Sequence, residues 1–167
     1  DLEVPATSEI VIEGELPTFN GAQATGCSPV ATAWEEGSMN FRPQRPNTIA
    51  KSLAIGNPAD GYYSLVQLRD TDGACGNVSD DEIVAGMKLL AETEGIFGET
   101  AAGVTVASLK QLVAQGRIDP GELTVAFITG AGFKTVEAVA DSLKPPLEVD
   151  ATIESFEHAY QTLQKAE

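Results

Sequence analysis

Histidine, cysteine and positive charge are scarce in this sequence, and each scarcity narrows the chemistry. His158 is the only histidine in 167 residues, and it stands in a polar stretch near the C-terminus. A Ser-His-Asp triad or a histidine-rich metal site has nothing to be built from, so no metal ligand is assigned. Cys27 and Cys75 lie far apart without metal-site spacing. They read as two reduced thiols of a cytoplasmic protein, with a single disulfide as the other option. No apolar run approaches the roughly twenty residues of a membrane span. No basic stretch leads into an apolar one at the start, so no secretory leader is expected. Lysine and arginine number 10 against 25 aspartates and glutamates, a formal charge of −15. Such a surface repels phosphate backbones and anionic lipid, which argues against nucleic acid and membrane as partners.

What is present suits a globular domain with a real core: hydrophobic residues make up 43% of the chain, and its length is that of one domain. The stretch Leu-Thr-Val-Ala-Phe-Ile-Thr-Gly-Ala-Gly-Phe-Lys, residues 123–134, organises the reading. Leu123 to Ile128 has the apolar, partly β-branched composition of a strand buried on both faces. Thr129, Gly130, Ala131 and Gly132 follow at its C-terminal edge, where open α/β sheets place ligands. An ordinary strand–turn–helix connection is the alternative at this point.

Along the chain, Phe19 to Ala24 reads as a buried strand ended by Thr25-Gly26. Ser28 is the expected N-cap of a helix to about Glu36, with Pro29 at its first position and Gly37 closing it. A short helix is expected over Thr48–Leu53. Another is expected from Tyr62 to Asp70, with Tyr62, Leu65, Val66 and Leu68 facing inward, followed by a turn at Gly73–Gly76. Ser79-Asp-Asp-Glu82 is a capping box that opens a helix whose core positions are Ile83, Met87, Leu90 and Ala91, ended by Gly95. A second long helix runs from Thr100 to Gln115 on Val104, Leu109, Leu112 and Val113, ended by Gly116. Asp119-Pro120-Gly121 is a turn. Thr135–Leu143 reads as helical, and Ile153, Phe156, Tyr160 and Leu163 mark a last amphipathic helix expected to dock on the body. Helices alternating with short apolar strands predict an α/β fold: a mostly parallel sheet with helices on both faces.

Four stretches, taken together, resemble the C-terminal half of the threonine synthases, pyridoxal-phosphate enzymes of the tryptophan-synthase-β (fold type II) superfamily. They are Gly21-Ala-Gln-Ala-Thr-Gly26; Ala54-Ile-Gly-Asn-Pro58 with Gly61-Tyr-Tyr63; Val78-Ser-Asp-Asp-Glu82 through Leu90-Ala-Glu-Thr-Glu-Gly-Ile-Phe97 to Glu99-Thr-Ala-Ala-Gly103; and Gly116-Arg-Ile-Asp-Pro120 with Phe127-Ile-Thr-Gly-Ala-Gly-Phe-Lys134. Their order and spacing carry the resemblance over roughly residues 16–139. It implies residues 1–15 as an unassigned N-terminal segment, 16–144 as part of the large domain of such an enzyme, and 145–167 as a tail with a docking helix. It also implies pyridoxal 5'-phosphate as cofactor, O-phospho-L-homoserine and water as substrates, L-threonine and phosphate as products, and a homodimer.

By the same resemblance the cofactor-binding residues are Thr129, Gly130, Thr25, Gly26 and Glu99. Thr129 takes the hydroxyl position that meets the pyridine nitrogen. Gly130 and Gly132 let backbone approach the ring. Thr25 and Gly26 form a pocket wall, and Glu99 lies along the cofactor edge or serves as a helix cap. Asn57 reads as a turn-former. The chain departs from the family in lacking the Schiff-base lysine motif and the glycine-rich phosphate loop. None of Lys51, Lys88, Lys110, Lys134, Lys144 and Lys165 is assigned that role, and no residue is assigned as catalytic. Ala131 stands where relatives often carry Asn or His. The expectation is a chain that is inactive alone and is completed by an N-terminal half of the enzyme. A non-catalytic domain derived from the enzyme remains open, as does a related pyridoxal-phosphate lyase such as threonine dehydratase or cysteate synthase. The Gly-Asn-Pro and Glu-Gly-Ile-Phe blocks favour threonine synthase over the dehydratases.

Overall fold

A computed structural model describes residues 17–143 and 148–164. The unassigned N-terminal segment 1–15, and Lys144 and Lys165, lie outside them. The chain falls into two compact units that part after Lys134. In the first, two four-residue strands, β1 (Gly21–Ala24) and β2 (Cys75–Val78), pair in parallel with Gly21 opposite Cys75 and Ala24 opposite Val78.

Helices cover both faces of this pair. Helix α1 (Pro29–Glu35) and helix α2 (Gly61–Asp70) bury Val30, Ala31, Ala33, Leu65 and Leu68 with Cys75 in one cluster. On the other face lies α4 (Thr100–Ala114), packed along its length on α3 (Asp80–Glu94). Gly76 is required there, because a Cβ on it would stand 3.0 Å from Ser108 Cα. Parallel pairs demand this double cover, since both faces of such a sheet are normally buried.

The helix signals at α3 appear as read. Ser79 accepts from the Glu82 N–H at 3.3 Å, the Glu82 carboxylate accepts from the Ser79 N–H at 2.7 Å, and Gly95 closes the helix at φ +67°. Ile83, Met87 and Leu90 are buried as expected, and Val104 and Leu112 are buried on α4. Helix α1 starts where expected but is capped differently. Ser28 makes no capping bond; the amide oxygen of Gln23, on β1, accepts from the N–H groups of Val30 and Ala31 at 3.0 and 2.9 Å.

Several expectations are corrected. The segment 73–76 is not a turn: Cys75 and Gly76 already belong to β2, a strand made of small and polar residues that tertiary burial sustains. Tyr62 points outward, 52% exposed, because α2 buries only the side carrying Leu65 and Leu68. The helix expected at Thr48–Leu53 is a single 3-10 turn, Lys51–Leu53. Leu123–Ile128 belongs to no strand or helix, and Leu123, Val125 and Phe127 are 97%, 72% and 76% exposed. These three side chains are left uncovered by the described residues, and a segment without a strand partner has no ladder to hold it.

In the second unit the helix expected over Thr135–Leu143 is reduced to α5 (Glu137–Ala140). Helix α6 (Ile153–Gln164) forms where its period places it, with Phe156 and Tyr160 stacked at 5.8 Å, but buries none of its residues.

Candidate functional site

The junction between α3 and α4 shapes the site. Gly95 reverses the chain, and Phe97-Gly98-Glu99 then runs alongside the turn after Ile128. The Glu99 N–H donates to the Gly130 carbonyl at 3.1 Å and the Gly132 N–H donates to the Phe97 carbonyl at 2.8 Å, with Gly98 and Ala131 bridged antiparallel. The Phe97 and Phe133 rings meet edge to face at 5.6 Å. The two stretches singled out in the sequence are thus stapled together, Glu99-Thr-Ala to Thr129-Gly-Ala-Gly.

At this staple Glu99 is the N-cap of α4 and buried, although its carboxylate makes no capping bond. It lies against Gly130 and accepts a long hydrogen bond, 3.5 Å, from the Ser52 hydroxyl. Gly130 adopts φ +72°, and a methyl group there would collide with the Glu99 side chain. The position therefore demands glycine on two independent grounds, conformation and space. Thr129, one residue earlier, is exposed, and no partner for its hydroxyl occurs among the described residues. The turn holds this hydroxyl outward on a backbone fixed by Glu99.

Thr25 and Gly26 stand at the C-terminal end of β1. The Thr25 N–H prolongs the ladder to Val78 at 2.8 Å, and Gly26 accepts from the Asn47 N–H at 2.8 Å. A Cβ on Gly26 would meet the Asn47 backbone. The connection that follows Asn47 then ties the site together. The Thr48 hydroxyl donates to Asp80 at 2.6 Å, the Ile49 N–H donates to the same carboxylate at 3.2 Å, and Ser52 reaches Glu99. The five expected residues thus form two groups, Thr25–Gly26 and Glu99–Thr129–Gly130, linked through residues 47–52 and the first turn of α3.

Thr48, Ser52 and Asp80 were not singled out in the sequence. Residues 40–48 read as surface connection and Thr48–Leu53 as a short helix, neither with a site signal, and only Asp80, in the first turn beside a capping serine, carried a local signal. Asn57 lies exposed in a bend, in keeping with a turn-former. Cys27 and Cys75 are free and buried, and burial pushes the Cys75 thiol up to about 12. No group of three or more potential metal ligands gathers among the described residues. No helix among them is long and apolar enough to cross a membrane.

Comparison with known proteins adds the family. Residues 8–130 match the model of a family described as pyridoxal-phosphate dependent enzyme. A threonine synthase of Methanosarcina acetivorans is 36% identical over 149 residues, covering 89% of this chain and 37% of that protein. Threonine synthases of Methanocaldococcus jannaschii and Bacillus sp. (strain ULM1) are 36% and 37% identical, covering 81% and 75% of this chain and 34% of each relative. The chain thus spans about a third of the length of these curated relatives. A solved structure of maize serine racemase aligns with 53% of this chain and 26% of its own at 24% identity and a TM-score of 0.44.

Proposed function

This chain belongs to the pyridoxal-phosphate dependent enzyme family, and we propose that it forms the C-terminal part of a threonine synthase, completed by an N-terminal half. The substrates on this reading are O-phospho-L-homoserine and water, and the products L-threonine and phosphate. Residues 16–144 supply large-domain structure and one wall of the cofactor site. When bound, the cofactor supplies an electron sink to the substrate carbon skeleton.

The observation that carries the assignment is the exposed Thr129 hydroxyl, held beside a Gly130 that its contact with Glu99 makes obligatory. These residues fit the cofactor. A neutral hydroxyl without an internal partner can meet a pyridine nitrogen without forcing a proton onto it, as a carboxylate would. The bare backbone at Gly130 leaves room for a flat ring to approach. Glu99 is assigned to the cofactor edge because it underlies this turn. Thr25 and Gly26 form a second wall, kept at the β1 end by Asn47. No lysine of this chain is assigned to bond the cofactor covalently, so the chain alone is expected to be inactive.

The test uses the polypeptide that carries this chain together with its preceding residues, assayed for threonine and phosphate formed from O-phosphohomoserine. In that protein Thr129→Ala removes an exposed group and should leave stability within about 0.5 kcal/mol. It should change the visible spectrum of the bound cofactor and lower turnover about tenfold, the worth of one hydrogen bond of roughly 1.4 kcal/mol. An unchanged spectrum and unchanged turnover would remove the assignment of Thr129.

A further inference from the structure

The connection between α1 and α2 is held as a closed loop. At its base the Gln44 N–H donates to the Gly56 carbonyl at 2.9 Å, and the Gln44 side-chain oxygen accepts from the Ser28 N–H at 2.8 Å. Inside the loop the Thr48 hydroxyl bonds in two directions. It donates to Asp80 at 2.6 Å and accepts from the N–H of the fully buried Ala50 at 3.1 Å. The second Asp80 oxygen accepts from the Ile49 N–H at 3.2 Å. A separation of 2.6 Å is that of a hydroxyl donating to a charged carboxylate, a bond about twice as strong as a neutral one. Asp80 is the first residue of α3, where the helix dipole favours its charge.

Neither end of this tie needs it for closure. The start of α3 is already satisfied by Ser79 and Glu82, and the loop base by Gln44. Its consequence lies further on, where the 3-10 turn Lys51–Leu53 brings the Ser52 hydroxyl to the buried Glu99 at 3.5 Å. A bond that long is too weak to fix Ser52 by itself, so the anchor four residues earlier sets its place. Glu99 in turn lies against Gly130, beside Thr129. We propose that Thr48 and Asp80 are positioning residues of the cofactor site, acting through Ser52 on Glu99 and so on the turn that presents Thr129. The inference rests on the reading of that turn as the cofactor contact. Displacements of about 1 Å in such a support can cost about 100-fold in rate.

The test uses the longer polypeptide loaded with pyridoxal 5'-phosphate. Thr48→Val keeps the shape and removes the hydroxyl; Thr48→Ser keeps the hydroxyl. Thr48→Val should shift the visible spectrum of the bound cofactor and lower kcat for threonine formation about tenfold, with KM within about twofold. Thr48→Ser should restore both. In a Ser52→Ala background Thr48→Val should change kcat by no more than about twofold further, because the path is already cut. Gln111→Ala is the control for lost stability. It frees the Asn77 N–H and carbonyl that this side chain pairs at 2.9 and 3.1 Å, and should leave the spectrum as in the parent. Without cofactor, the Ala50 amide should exchange at least about tenfold faster in Thr48→Val than in the parent, and at the parental rate in Thr48→Ser. An unchanged spectrum in Thr48→Val, an equal shift in Gln111→Ala, or full additivity with Ser52→Ala would overturn the proposal. Thr129→Ala separates the two readings. If it shifts the spectrum and Thr48→Val does not, only this proposal fails; if neither does, the reading of the turn fails with it. Spectral shifts without threonine formation sink the substrate assignment alone.

Discussion

Replacing Gly130 with alanine probes the contact on which the candidate site is built. Gly130 holds φ +72°, a left-handed conformation that costs an ordinary residue about 1–2 kcal/mol. The new methyl would also run into the Glu99 side chain, which is only 8% exposed. Glu99 has little room to retreat, because its own N–H is bonded to the Gly130 carbonyl at 3.1 Å and it caps α4. Overpacking of this kind costs about 1–3 kcal/mol. Gly130→Ala should therefore lose roughly 2–5 kcal/mol of stability in the presence of Glu99. In a Glu99→Ala background the steric part vanishes and only the backbone part remains, about 1–2 kcal/mol. The double-mutant cycle should return a coupling of about 1–3 kcal/mol, which urea unfolding can measure if the slopes of the four proteins agree. A loss that is the same in both backgrounds within about 0.5 kcal/mol would refute the contact, and with it the account of how Thr129 is presented.

Three further outcomes follow from the geometry. Ser79→Ala removes the hydroxyl that accepts from the Glu82 N–H and donates to its carboxylate, while the residue-79 N–H stays in place, and should cost about 0.5–2 kcal/mol near neutral pH by thermal or urea unfolding. Backbone and side-chain bonds from Ser79 hold the Glu82 carboxyl below its ordinary value. The linked stability is present above the unfolded pKa of about 4.3 and lost as pH falls through the folded one; the residue-79 N–H survives in the variant, so the gap between variant and parent should narrow on acidification only by the share of the hydroxyl–carboxylate bond, and the lost Glu82 N–H cap keeps the two apart at every pH. Gln111→Ala strips the Asn77 backbone pair of its partners and should cost about 1–3 kcal/mol in the same assay; a cost near zero would mean the amide does not stand in for a strand. Cys27 is 1% exposed and Cys75 5%, and burial raises both thiols, Cys75 to about 12 with Glu35 adding to the effect. A disulfide reagent at pH 8 should label neither until urea unfolds the chain, and prompt labelling of the native protein would contradict the burial.

Much of the helical framework was legible because its determinants are local. Ser79 and Glu82 are three residues apart, Gly95 and Gly116 end their helices at φ +67° and +69°, and Ile83, Met87 and Leu90 recur at the helical period. The sheet was less legible. Strand β2, Cys-Gly-Asn-Val, has no β-rich composition, and Gly76 belongs there only because Ser108 of α4 closes over it. Conversely, Leu123–Ile128 has the composition of a buried strand yet lies exposed, since composition states what a segment can bury and not whether a neighbour is there to bury it. Tyr62 failed the same way, its place on α2 being set by what α1 leaves uncovered.

The amino-acid sequence by itself determined where most of the helices begin and end, which glycines must be glycines at the helix ends, and the motifs that mark the pyridoxal-phosphate dependent family. Tertiary structure alone decided that Glu99 lies beneath Gly130, that Gln23 rather than Ser28 caps α1, that Ser52 reaches the buried carboxylate, and that Gln111 occupies the backbone groups of Asn77. The division has a physical cause. Capping and periodicity act within about one helical turn and can be read along the chain. A carboxylate meeting a glycine 31 positions away, or a side-chain amide standing in for a strand 34 positions away, exists only once packing has closed those loops.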